Sequence, residues 1–125
     1  MARILVVDDM KGIVDSLTLI LTVANHTVDV ARDGEEAIRK INTQSYDLVI
    51  CDIVLPGVDG TSVILESKAR HPFMPIIAIS GGATGVTVSQ ALMIASQRAD
   101  RTLPKPFSRE DLLNAVSDLL ASKNA

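Results

Sequence analysis

A chain of 125 residues has room for one domain and one core, and little for a second module. Hydrophobic residues make up 47% of it and aromatics 2%, so the core must be built from Val, Ile, Leu and Ala. A net charge of -3 with no basic run excludes the phosphate-tracking surface of a nucleic-acid binder. The single cysteine, Cys51, excludes an internal disulfide and fits a reducing compartment. No stretch approaches the length of a membrane span, and the first apolar run stops at two aspartates, unlike a signal peptide. A cytoplasmic protein with no membrane contact is the expectation.

In chain order, short apolar runs alternate with longer amphipathic stretches. Ile4-Leu5-Val6-Val7 predicts a strand buried on both faces. Ile13, Leu17, Ile20 and Leu21 recur at helical spacing. Thr27 to Ala31 predicts a second strand. Asp33-Gly34-Glu35-Glu36 then places an acidic N-cap with Glu three positions on, ahead of a helix carrying Ala37, Ile38 and Ile41. Leu48 to Cys51 and Ile76 to Ile79 predict the third and fourth strands, with a helix after Gly60 between them. Another helix begins between Gly82 and Val88, and a weaker strand is expected near Thr102-Leu103. Ser108-Arg109-Glu110-Asp111 opens the last helix, whose apolar face includes Leu112, Val116 and Leu119. Only residues 122–125 read as a frayed tail. Five strand–helix pairs give a doubly wound (βα)5 fold of class α/β, one domain over residues 1–125, with helices on both faces of a parallel sheet. Ligand sites of such sheets lie beyond the carboxyl ends of the strands.

Those ends hold the chemistry. Strand one ends in Asp8-Asp9, strand three in Asp52 and strand four in Ser80, and strand five leads into Lys105-Pro106. Each has a bland reading: Asp8-Asp9 as a helix cap, Asp52 as the start of the Leu55-Pro56-Gly57 turn, Ser80 as a loop residue before two glycines, Lys105 as a solvated lysine. Together they outweigh it. Like charges about 4 Å apart cost roughly 4 kcal/mol per pair at an effective dielectric near 20. A fold keeps three such carboxylates only if a cation neutralises them or some stay protonated. Magnesium suits the cluster, since it takes a few carboxylate oxygens and keeps several waters. Ser80 and Lys105 beside it offer contacts to phosphoryl oxygens, and Asp52 is placed as the nucleophile.

With these residues the sequence resembles the response-regulator receiver family over essentially its whole length. The matching segments are Ile4 to Asp9, Asp52 with Pro56 and Asp59-Gly60 beyond it, Ile79-Ser80, and Lys105-Pro106-Phe107. The resemblance implies a flavodoxin-like strand order 2-1-3-4-5. It implies that Asp8, Asp9, Asp52 and the main-chain carbonyl of Val54 bind Mg2+, Asp9 directly and Asp8 often through water. Asp52 then accepts a phosphoryl group from a histidine kinase or phosphotransfer protein, and Ser80 and Lys105 contact that group. The family's Lys-Pro bond is usually cis, which would fit Lys105-Pro106, though the sequence leaves the isomer open. A slow autodephosphorylation goes with such a site. Two departures stand out. Thr102 occupies the position where relatives often carry a switch aromatic, and Val54 and Gly82, which tune phosphate lifetime in relatives, offer no polar side chain.

Cys51 and Met74 read as core, Met10 as bordering the acidic pocket, and His26 and His71 as solvated loop residues. The glycines at 81, 82 and 85 make the loop after strand four the element expected to order on phosphorylation. A flavin-binding relative of the fold would need a Ser/Thr/Gly-rich phosphate loop after strand one and aromatics to sandwich the ring; this chain has aspartates there and only Phe73, Phe107 and Tyr46. A haloacid-dehalogenase-type hydrolase spaces its two aspartates two residues apart, unlike Asp8-Asp9. A receiver fold kept as an interaction scaffold, or a receiver fragment of a larger hybrid kinase or regulator, would share most of this pattern. No output module is read after the last helix. The expected signal therefore leaves by contact with an unnamed protein target, from a monomer or weak dimer.

Overall fold

Each of the five segments expected to be a strand becomes one. The computed structural model describes residues 2–53, 55, 60–80, 99–105 and 107–124, without the side chains of residues 80 and 122–124. Its strands are β1 (Arg3–Val7), β2 (Thr27–Ala31), β3 (Leu48–Asp52), β4 (Ile76–Ser80) and β5 (Arg101–Pro104). Its described helices are α1 (Lys11–Val23), α2 (Gly34–Thr43), α3 (Gly60–Arg70) and α4 (Arg109–Asn124). The strands form one sheet in the order β2-β1-β3-β4-β5, parallel throughout. The strand order and fold class are those implied by the resemblance. The helix expected to begin between Gly82 and Val88 starts outside the described residues, where Pro56, Gly57, Asp59, the loop glycines and Pro106 also lie.

Side-chain alternation along each strand divides the core in two. Leu5, Val7, Val49 and Cys51 pack under α2 and α3, with Ala37, Ile41, Val63 and Ile64. Ile4, Val6, Ile50 and Ile77 pack under α1 and α4, with Leu17, Leu21, Leu112 and Val116. Each fully buried aliphatic side chain contributes about 1.5–3 kcal/mol of burial free energy. Burial on both faces is why the central strands read as unbroken apolar runs and not as alternation. The β5 signal was weak because only Leu103 of its four residues is buried and Pro104 closes an edge strand.

The caps follow the sequence, with one addition. The Asp33 side chain accepts from the Glu36 N–H at 2.8 Å, while Glu36 Oε1 accepts from Arg32 N at 2.8 Å. Ser108 Oγ accepts from Asp111 N at 3.0 Å, and Asp111 Oδ2 accepts from Ser108 N at 3.4 Å. The addition is at the end of α1, where Asn25 takes φ 71°. The N–H groups of Asn25 and His26 then bond the Thr22 and Leu21 carbonyls, a Schellman closure.

Cys51 and Met74 are buried, in line with their reading as core. The histidines are more tied down than solvated loop residues. His26 is half-buried and its Nδ1 accepts from Ala2 N at 3.2 Å; burial lowers its pKa. His71 is exposed, but its Nε2 lies 3.2 Å from the Ile41 carbonyl. Both sit at the amino-terminal ends of strands, away from the carboxyl ends where the aspartates lie.

Candidate functional site

Parallel register brings the carboxyl ends of the strands level. Val7 pairs with Cys51 across β1 and β3, Asp52 with Ile79 across β3 and β4, and Ser80 with Pro104 across β4 and β5. The next residues out from this line are Asp8, Asp9 and Lys105. A site thus forms where stretches of sequence distant along the chain end side by side.

Asp8 is completely buried and Asp52 is 4% exposed, while Asp9 is exposed. One carboxylate oxygen from each of the three lies within 4.8 Å of the others. Lys105 reaches down from the end of β5, its Nζ 3.1 Å from Asp52 Oδ2 and 3.3 Å from Asp8 Oδ2. One ammonium therefore serves two buried carboxylates, and the cluster keeps a surplus of negative charge. The pKa directions follow. Burial, helped by the charge of Asp52, holds Asp8 above the ordinary carboxylate range, against the opposing pull of the Met10 N–H and Lys105. Burial works to lower the Lys105 pKa, but its bonds to Asp52 and then Asp8 outweigh that and raise it. Lys105 stays an ammonium throughout the physiological range.

Local structure aims these groups. Asp8 Oδ1 accepts from the Met10 N–H at 2.9 Å, which turns the chain into α1 and fixes the carboxylate. Met10 itself is exposed beside the pocket, consistent with its reading as a border residue. Gly60 opens α3 against the end of β3, and its N–H donates to the Ile53 carbonyl at 2.9 Å. A Cβ there would stand 1.9 Å from the Asp52 carbonyl oxygen, so only glycine fits. The sequence pattern did not disclose the close seat of Gly60 or the Met10–Asp8 bond. The Asp59-Gly60 dipeptide was the available signal for the first, though not for what the glycine touches.

Of the residues expected at the site, Asp8, Asp9, Asp52 and Lys105 are brought together. The backbone of Ser80 ends β4 next to them; its side chain lies outside the described residues, as does Val54. Thr102 lies on β5, opposite Ala78.

A cluster of three carboxylates with one lysine thus stands at the carboxyl edge of a 2-1-3-4-5 sheet. The chain belongs to the response regulator receiver domain family, whose model matches residues 4–117. It is similar to the response regulator MprA of Mycobacterium ulcerans (strain Agy99), with 34% identity over 118 residues, 94% of this chain and 50% of that protein. The chain thus spans half the length of the curated relatives it matches. Among solved structures, a CheY-like receiver domain protein from Methanospirillum hungatei JF-1 superposes with a TM-score of 0.91 at 29% identity, covering 99% of this chain and 97% of that one. NtrX from Brucella abortus superposes with a TM-score of 0.86 at 32% identity, over 98% of this chain and 27% of its own. Among the described residues no helix is long and apolar enough to cross a membrane.

Proposed function

We propose that the chain works as a single receiver unit over residues 1–125, taking a phosphoryl group on Asp52 from a phosphohistidine of a histidine kinase or phosphotransfer protein. The observation that carries this reading is the Lys105 ammonium held between Asp8 and Asp52 with Asp9 beside them. Asp52 is the better nucleophile of the buried pair. Asp8 has one oxygen engaged by the Met10 N–H and the other by Lys105, with none of its surface open. Asp52 stands at the end of the central strand with part of its side chain accessible.

In the transfer, an Asp52 oxygen attacks phosphorus, the bond from phosphorus to the donor's imidazole nitrogen breaks, and that nitrogen keeps the electron pair. Lys105 follows the charge as it moves from the Asp52 carboxylate onto the phosphoryl oxygens, and the Ser80 hydroxyl is assigned a second contact to them. The donor set consists of carboxylate oxygens with surplus negative charge, which fits a hard divalent cation such as Mg2+ held by Asp8, Asp9, Asp52 and the Val54 carbonyl. When bound, that ion supplies neutralisation of the phosphoryl oxygens. Slow autodephosphorylation returns the carboxylate, and the signal passes to a protein target by contact. The greater length of the relatives supports a second reading, in which the same chemistry serves the receiver part of a longer regulator.

Incubation with acetyl phosphate and magnesium tests the assignment by mass spectrometry. One added phosphoryl group is expected on the native chain and none on the Asp52→Asn variant. Full labelling of that variant would overturn it.

A further inference from the structure

The main chain that carries Asp52 is held by more than sheet bonding. The Asp52–Ile53 peptide is fastened on several sides. Its N–H, that of Ile53, donates to the Ile79 carbonyl of β4 at 3.1 Å. The next carbonyl, that of Ile53, accepts from Gly60 N at 2.9 Å. The Asp52 carbonyl itself abuts Gly60, closely enough that a Cβ would lie 1.9 Å from it. On the remaining side stands the Cys51 thiol, with Sγ 3.2 Å from the Asp52 carbonyl oxygen and 4.0 Å from that of Gly60. Cys51 is fully buried, so water does not compete for this thiol.

We propose that Cys51 and Gly60 act as a pair of positioning residues, clamping the Asp52 carbonyl from behind so that its carboxylate is held towards Lys105. The inference rests on Asp52 being the phosphoacceptor. Neither residue touches the transferring group; both act through the peptide that bears the nucleophile. Parallel strands tolerate small rotations at their free ends, and Asp52 is the last residue of β3. A displacement of that peptide would carry the Asp52 Cα with it and draw the carboxylate off the Lys105 ammonium. Glycine closes the clamp by letting α3 approach, and the thiol closes it by a weak S–H bond. Small misplacements of a reacting group cost rate steeply, which is why a modest bond behind the nucleophile has a measurable effect.

Substitutions at Cys51 separate this from plain packing. Serine keeps a donor towards the Asp52 carbonyl but buries a hydroxyl, so it is expected to be the least stable variant. Alanine and valine remove the donor while keeping the site apolar. The expected labelling order with acetyl phosphate and magnesium is therefore opposite to the order of melting temperatures. Cys51→Ser keeps a rate within about twofold of the native chain, and Cys51→Ala and Cys51→Val fall by about threefold to tenfold. Gly60→Ala is expected to lose more than any of them; should it not fold, the Cys51 series decides alone.

A second readout needs no chemistry. The chain has one cysteine, so its S–H stretching band in the infrared has a single source. Loading the site with magnesium and beryllium fluoride is expected to move that band, because the clamped carbonyl belongs to Asp52 and feels the change of charge at its carboxylate. Native labelling rates in Cys51→Ala and Cys51→Val, rates that follow melting temperature, or a band that stays fixed on loading would each overturn the clamp. Failure of the native chain to label on Asp52 would overturn both this and the reading it rests on, whereas native labelling with an indifferent Cys51 overturns the clamp alone.

Discussion

Asp8 and Asp29 are two aspartates set against the same sheet with opposite outcomes. Asp29 lies in the middle of edge strand β2, opposite Leu5. Its Oδ2 accepts from the Tyr46 hydroxyl at 2.6 Å, its Oδ1 accepts from Lys40 Nζ at 3.2 Å, and Arg3 approaches to 3.8 Å. The Tyr46 bond, with Lys40 behind it, holds this carboxyl below the ordinary range even though burial pulls the other way. Burial and the neighbouring carboxylate in turn push the Tyr46 phenol up. Asp8 has one lysine, shared, and two acidic neighbours, and its carboxyl is pushed up. Charge at the edge is met by two cations, one of them shared with Glu36, while charge at the strand ends has one cation for three carboxylates. An edge strand needs an inward charge that blocks pairing with another chain, and Asp29 meets that need with its own partners built in. The proposed phosphoryl-transfer site needs negative charge waiting for a cation, and that charge costs stability.

Removing the shared cation should break the contrast most severely. Lys105→Met leaves the Asp8 and Asp52 carboxylates buried without their ammonium, a change that costs about 3 kcal/mol or more. Chemical denaturation in metal-free buffer is expected to register that loss. Magnesium should recover a larger part of it than it adds to the native chain, because the cation then replaces the missing charge. A variant as stable as the native chain without metal would mean the carboxylates are not strained.

Tyr46→Phe probes the other region, deleting a hydrogen bond to an ionised acceptor. A loss of about 1.5–3 kcal/mol is expected, with magnesium binding unchanged. An altered response to magnesium would show the two regions to be coupled, contrary to their separation here.

Acid titration sharpens the comparison by sign. The folded pKa of Asp29 lies below its ordinary value of 3.8, so its contribution is present above that pH and is lost as pH falls through the folded pKa. The folded pKa of Asp8 lies above 3.8, so ionising it penalises the native state. That penalty is relieved as pH falls through the folded pKa towards 3.8. Asp29→Asn is therefore expected to destabilise at neutral pH and Asp8→Asn to stabilise, with both differences shrinking in acid. Melting curves between neutral pH and pH 3 check this, and equal signs for the two variants at neutral pH would contradict the assignment.

The two regions also differed in how far the sequence disclosed them. Asp8, Asp9, Asp52 and Lys105 were legible because they stand at or just past the ends of the expected strands, and parallel strands place such ends together without further information. The strands themselves were legible because burial on both faces leaves unbroken Val, Ile and Leu. Asp29 was legible only as part of a strand. Its partners Lys40 and Tyr46 come from α2 and the turn before β3, and no local pattern pairs them. The Asn25 cap was not legible although a polar residue follows the last apolar turn of α1, since asparagine signals the left-handed cap far less strongly than glycine. The demand for glycine at position 60 arises from how closely α3 meets β3, which a dipeptide does not state.

The smallest effect is expected at Asp9, and it bears on what the strain is for. Asp9 shares the cluster but is exposed, so water already screens much of its repulsion with Asp8 and Asp52. Asp9→Asn should therefore raise the melting temperature in metal-free buffer by only about 1–3 °C. Its exposure is also what suits it to meet a cation that retains several waters, whereas Asp8 is sealed beneath. The same variant should lose most of the added stability that magnesium gives the native chain. Calorimetric titration and paired melting curves, with and without magnesium, measure both halves. A lower melting temperature without metal would mean that Asp9 is a structural cap and not part of a charge-strained cluster. An undiminished response to magnesium would mean that the ion is held by Asp8 and Asp52 without it.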